Sequence, residues 1–181
     1  HRDLHSFPTR RSSDLLNESI EILISKLKGN ADVALMHDEI KVKDELVYNW
    51  TNGKLIGIVE LGDINTAFHN IESEPTDTSK VDSKQIASHH LCFITRSLTS
   101  KNCLPVAQFA TNSLTTDQLF NMFWEVVGAQ EIEGIHVKFS ISGGVAANRK
   151  FYMMHANDFP EDPVAHCCIN MFAEDNEHHT L

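Results

Sequence analysis

Apolar positions along the chain follow two periods in turn. From Asn17 to Lys28, the residues Ile20, Leu23, Ile24 and Leu27 recur at helical spacing, with Asn17 placed as an N-cap and Gly29 and Asn30 as a stop. Val33, Ala34, Leu35 and Met36 form a short apolar run, and His37, Asp38, Glu39, Ile40, Lys41 and Val42 continue it, which reads as a buried strand whose far end carries acids. Two β-type runs, Leu46 to Tyr48 and Leu55 to Val59, flank Asn52 and Gly53, the pairing that most favours a tight hairpin. Leu91 to Thr95 and Val106 to Phe109 read as two further strands joined through the turn Thr99 to Asn102. Thr116, Asp117 and Gln118 open a helix whose apolar face holds Leu119, Phe120, Phe123, Val126 and Val127, and Gly134 ends it. Trp124 repeats Phe120 at a spacing of four, and this aromatic stripe reads as core rather than as a ligand box. Ile135 to Ile141 alternates as a strand, Ser142, Gly143 and Gly144 turn, and Ala146 to His155 reads as a helix.

Three early antiparallel strands, a crossover helix, and a strand that returns parallel to the first predict a mixed α/β sheet. In such a sheet the tips of the first and the returning strand share one crevice, where the sites of open α/β sheets gather. Asp38 lies toward the end of the first strand and Gly143 at the end of the returning one. The topology therefore predicts that positions 38 and 143 meet, although they are distant in sequence. Carboxylates at both places would suit Mg²⁺, which takes oxygen ligands, and a pair of such ions serves phosphodiester chemistry.

The polar stretch 65–84 carries Glu72, Glu74, Asp77 and Asp82 around Pro75 and reads as a long surface loop. Beyond Asn157 come Pro160 and Pro163, and the periodic pattern weakens. No run of about 18 apolar residues is present, so neither a membrane span nor a membrane partner is expected. The N-terminal stretch has no apolar secretory core, so the chain is expected to stay inside the cell. A formal net charge of −10 argues against a free-standing duplex-binding domain, which usually presents a basic face. Cys92, Cys103, Cys167 and Cys168 read as reduced thiols. His166, Cys167, Cys168, His178 and His179 lie close together, but adjacent cysteines do not match the paired spacing of a structural zinc site. Asn49, Trp50 and Thr51 match a glycosylation sequon, which reads as chance in a chain not expected to be secreted.

His1 to Leu15 resembles an in-frame translation of a sequencing-library adapter, most closely over Arg10, Arg11, Ser12, Ser13, Asp14 and Leu15. Residues 1–15 are accordingly expected to be an artefact without structure, 16–30 a leading helix, 31–156 the folded domain, and 157–181 the start of a connection to something further. The whole reads as a fragment.

Several short pieces, in order, resemble the P-element-type transposases, including their THAP-domain-containing relatives. They are Asp38 to Val42, Leu46 to Asn49, Gly53 to Gly57, Leu61 to Asn65, Leu114 to Phe120 with Trp124 and Glu125, and Gly144 with Asn148, Arg149, Lys150 and Phe151. The resemblance implies an RNase H-like catalytic domain with an Asp, Asp, Glu triad holding Mg²⁺, incomplete at its C-terminus. It places the first acid on Asp38 and the second on position 143, where this chain has Gly143. It implies that the third acid and most of a guanine-nucleotide-binding insertion follow Leu181, and that a zinc-containing DNA-binding domain precedes Asn17. Metal-dependent DNA hydrolysis and strand transfer, DNA transposon ends as partners, self-association and a nuclear location belong to the same implication. Glycine offers no side-chain oxygen, and a neutral hydroxyl at Ser142 cannot replace a carboxylate, so this copy is expected to be inactive. Arg149 and Lys150 are candidates for phosphate contacts or a solvated helix face, Glu39 is expected on the opposite strand face from Asp38, and Asp63 reads as a turn residue. The alternative is a domesticated, non-catalytic protein of transposase origin that binds DNA or protein.

Overall fold

A computed structural model describes residues 12–27, 31–50, 54–61, 86–155, 167–172 and 178–180. The expected loop 65–84, Asp63 and residues 1–11 lie outside the described residues. The helices are α1 (Ser12–Leu27), α2 (Thr116–Ile132) and α3 (Ala146–His155). The strands are β1 (Asp32–Lys41), β2 (Val47–Asn49), β3 (Lys54–Ile56), β4 (His89–Ser97), β5 (Cys103–Thr111), β6 (His136–Ser142), β7 (Cys167–Ile169) and β8 (His178–Thr180).

The main sheet has the order β5-β4-β1-β6-β8-β7, and β2 and β3 pair apart from it. β5, β4 and β1 are antiparallel neighbours, while β6 lies parallel to β1 after the α2 crossover. This is the mixed sheet that the pattern predicts. Parallel neighbours cannot be joined by a tight turn, so a crossover is obligatory, and α2 supplies it.

The strands alternate as a sheet with one covered face demands. Val33, Leu35 and His37 of β1 are buried with Leu91, Phe93 and Thr95 of β4 and Val137 of β6. Burying this face with the inner sides of α1 and α2 produces one apolar cluster, into which Phe109, Phe123 and Phe151 also pack. The other face is open, and Ile40, Phe139 and Ile141 are exposed on it. A buried polar pair secures the covered face, with Thr95 Oγ1 donating to Gln130 Oε1 at 2.7 Å and Gln130 Nε2 donating to the Val126 carbonyl at 3.2 Å.

Helix α2 starts where its sequence says it should. Thr115 is the N-cap, its hydroxyl accepting from the Gln118 N–H while Gln118 Oε1 accepts from the Thr115 N–H. Three differences from the sequence pattern stand out. Helix α1 begins at Ser12 rather than at Asn17, so the last residues of the adapter-like stretch are helical; Ser12, Ser13 and Asp14 are themselves residue types that start helices. Ile24 is exposed, because the buried stripe is narrow and uses only Ile20, Leu23 and Leu27. Strands β7 and β8 were not anticipated at all.

Candidate site at the paired strand tips

Parallel pairing of β1 with β6 sets His37 opposite Ser142, so the next residues along, Asp38 and Gly143, lie side by side at the strand tips. The contact is close. A Cβ built on Gly143 would stand 2.9 Å from Asp38 Oδ1 and 3.4 Å from its Cγ. The Asp38 carboxylate is exposed, and its Oδ1 accepts the Glu39 backbone N–H at 2.9 Å.

The backbone at position 143 does not demand glycine. Of the described glycines, only Gly57 and Gly134 have positive φ. Gly57 shows what a demanded glycine looks like: φ is 106°, and a Cβ there would run into the Glu45 carbonyl oxygen. At Gly143 the nearest atoms a side chain meets are the end of the Asp38 side chain, which can rotate away. An aspartate is therefore sterically admissible at position 143.

The start of α3 braces the Gly143 tip. Asn148 is buried, and its Nδ2 donates to the Gly143 carbonyl at 2.7 Å. The Arg149 guanidinium donates to the Gly144 carbonyl. Phe151, one turn on from Asn148, is fully buried against Phe123, with ring centroids 4.9 Å apart. The run Asn148, Arg149, Lys150 and Phe151 thus has a local logic: a brace for each of two successive carbonyls, an exposed lysine, and an anchor in the core. Arg149 is exposed but bound back onto the loop, and Lys150 is exposed on α3.

Alternation sends the neighbours of Asp38 the other way. Glu39 accepts a hydrogen bond from the Thr111 hydroxyl at 2.7 Å, on the face opposite Asp38. His37 is buried among Phe93, Phe123 and Phe151, with centroids 5.5 to 5.8 Å away. Neither ring nitrogen of His37 has a hydrogen-bond partner. Burial lowers its pKa to about 4, against the opposing pull of the Asp38 charge and the Asn148 side chain. The Asn148 amide is committed to Gly143 and does not complete the imidazole's bonding.

On the open face, Cys92 is the antiparallel partner of Asp38. Burial pushes the Cys92 thiol up from its ordinary pKa, so it is a neutral neighbour rather than a thiolate ligand. Asp38, Cys92 and Gly143 share an open cavity of about 310 Å³ with Met36, Ile40, Ile94 and Ile141, whose side chains make its walls largely apolar. Among the described residues, no three His, Cys, Asp or Glu side chains are grouped closely enough to hold a metal ion together.

Strand alternation alone would have shown that His37 and Asp38 face opposite ways. The Asn148 brace and the Cys92 neighbour went unmarked in the sequence, because each depends on a cross-element register that periodicity does not give. Cys92 and Cys103 are free thiols, and Cys168 is buried in the core, opposite His179 in the β7–β8 pair. No described helix is long and apolar enough to cross a membrane.

The family model described as TNP-like, RNase H N-terminal domain matches residues 12–155. Among solved structures, the Drosophila P element transposase strand transfer complex is similar, with 15% sequence identity and a TM-score of 0.47. That match covers 79% of this chain and 28% of the other. No curated protein matches the chain.

Proposed function

Because the chain belongs to the TNP-like, RNase H N-terminal domain family, we propose that it is part of a DNA transposase core that no longer cuts DNA. The parental chemistry would be metal-dependent hydrolysis and strand transfer at DNA phosphodiesters, with transposon ends as the partner and the nucleus as the place. Carboxylates at two strand tips would share Mg²⁺ ions that activate the attacking oxygen and stabilise the leaving one.

The residues present do not fit that centre. Asp38 offers one carboxylate, Gly143 offers none, and no other acid among the described residues joins them. A lone exposed carboxylate holds Mg²⁺ weakly, since the ion gives up its water reluctantly. No catalytic step is therefore assigned to this chain. The observation that carries the reading is the side-by-side placement of Asp38 and Gly143, with a backbone at 143 that would accept an acid. What remains is a folded domain of transposase origin that engages DNA or protein without cleaving.

The test is Mg²⁺-dependent cleavage and strand transfer on transposon-end DNA by a full-length version, as it stands and as Gly143→Asp. The native form is expected to be silent and the variant to gain activity, by on the order of a thousandfold or more. Robust and equal cleavage by both would overturn the reading.

A further inference from the structure

Helix α2 contains two residues that its own chemistry does not explain. Gly128 lies inside the helix, where glycine is the poorest choice after proline. Glu131 lies in the last turn, where a carboxylate meets the negative end of the helix dipole. Its side chain is also only 3% exposed, and a buried charge is costly unless it is paired.

Residues 167–172, which follow α3 along the chain, account for both. Asn170 is buried, and its Nδ2 donates to Glu131 Oε1 at 2.8 Å. The same oxygen accepts the Val137 N–H at 2.8 Å, and Oε2 accepts from His136 Nδ1 at 3.1 Å. The carboxylate is thus satisfied jointly by the start of β6 and the residue after β7. Asn170 Oδ1 in turn accepts the Phe172 N–H at 3.1 Å, which holds the turn that places Phe172 against α2. A Cβ built on Gly128 would stand 3.0 Å from the Phe172 ring, so the ring rests where a side chain would otherwise be. Trp124 lies beside it, ring centroids 6.3 Å apart.

We propose that residues 167–172 form a strap, latched across α2 at two points, Asn170 on Glu131 and Phe172 on Gly128, that opens as a unit while the main sheet stays folded. Its ties to the sheet are few. β7 pairs with the three-residue β8, and β8 meets β6 at Phe139 and Thr180 alone among the described residues, whereas β1 is paired along its length with β4. Segments with few ties open locally at lower cost than the core. Cys168 of the strap reaches the apolar cluster, so opening uncovers part of the core and the latches are what hold it closed. Opening also frees the outer edge of β6, the strand that leads into Gly143. The device does not depend on the DNA-related reading above.

The experiment follows amide hydrogen exchange along the whole 181-residue chain, as it stands and as Asn170→Ala and Gly128→Leu. Asn170→Ala removes one latch and leaves Glu131 its Val137 and His136 donors. Gly128→Leu puts a good helix former in the seat of the Phe172 ring, so it favours α2 while displacing the strap. In the native chain the amides of 167–172 are expected to exchange faster than those of β1 and β4. Each variant is expected to speed exchange in 167–172 by roughly ten-fold or more, in line with the loss of one hydrogen bond to a charged group or of one seated ring, and to leave β1 and β4 unchanged. In a Trp50→Phe background Trp124 alone emits, and its emission is expected to move to the red in both variants as Phe172 leaves it. Circular dichroism confirms that each variant is folded. Unchanged exchange of 167–172 in either variant overturns the two-point latch. Equal acceleration of 167–172 and of β1 and β4 overturns the strap, since the segment then opens only with the core.

Discussion

A Cβ on Gly143 would stand 2.9 Å from the Asp38 carboxylate oxygen, and the nearest atoms it meets belong to that movable carboxylate. Residues 105 positions apart are in contact range because β1 and β6 run parallel and β6 ends opposite His37. The two positions are therefore side by side, and one of them carries an acid. If a second carboxylate is introduced there, the two repel at close range, and one is driven toward its protonated form unless a cation bridges them.

His37 links this tip to acid stability. Its folded pKa of about 4 lies below the ordinary 6.5, so the folded state prefers the neutral imidazole. Between those values the unfolded chain binds more protons, and stability falls as the pH falls through that window, by about 3 kcal/mol from this group. Above pH 6.5 the contribution is fully present and flat. His37→Leu is expected to flatten the fall between pH 6.5 and 4 without loss at neutral pH, since no hydrogen bond is given up. Urea unfolding at several pH values checks this, and an unchanged pH slope in the variant would count against it.

Asn148 holds the Gly143 carbonyl from the first turn of α3. Asn148→Ala removes the donor and loosens the tip, at a cost of about 1–2 kcal/mol. Denaturant midpoints measure the cost. Placed in the Gly143→Asp background, the same change is expected to reduce whatever cation affinity that background has gained. Loss of stability without any effect on cation binding would show that the brace serves the fold alone.

Phe151 is the anchor of α3. It is fully buried and packs on Phe123, on His155 at 4.7 Å and on His37 at 5.8 Å. Phe151→Ala empties the centre of that aromatic group and is expected to cost about 3–5 kcal/mol, close to the whole stability of a small domain. Far-ultraviolet circular dichroism on heating checks this, and a shift of only a degree or two would place α3 outside the cooperative core.

The sequence was readable where a period or a cap dictates structure. Leu119, Phe123 and Val126 mark α2 by spacing, Thr116, Asp117 and Gln118 open it, and the crossover then leaves little choice about how β6 returns. That chain of constraint is what brought Asp38 and Gly143 together on paper. Strands β7 and β8 span three residues each, too short to register as alternation, and Pro160 and Pro163 before them read as the end of structure. The exposure of Tyr48 and Trp50 was hidden for another reason: an aromatic in a β-type run looks the same whether it faces core or water.

The most direct test of the central claim is a calorimetric titration of divalent cation, Mn²⁺ as the tighter-binding stand-in for Mg²⁺, into the native chain, Gly143→Asp, and Gly143→Asp combined with Asp38→Ala. The paired tips predict that Gly143→Asp binds at least roughly ten-fold more tightly than the native chain, a gain of about 1.4 kcal/mol from the second carboxylate, and that removing Asp38 returns the affinity to the native level. No gain on Gly143→Asp, or a gain that survives the loss of Asp38, would contradict a shared two-acid site.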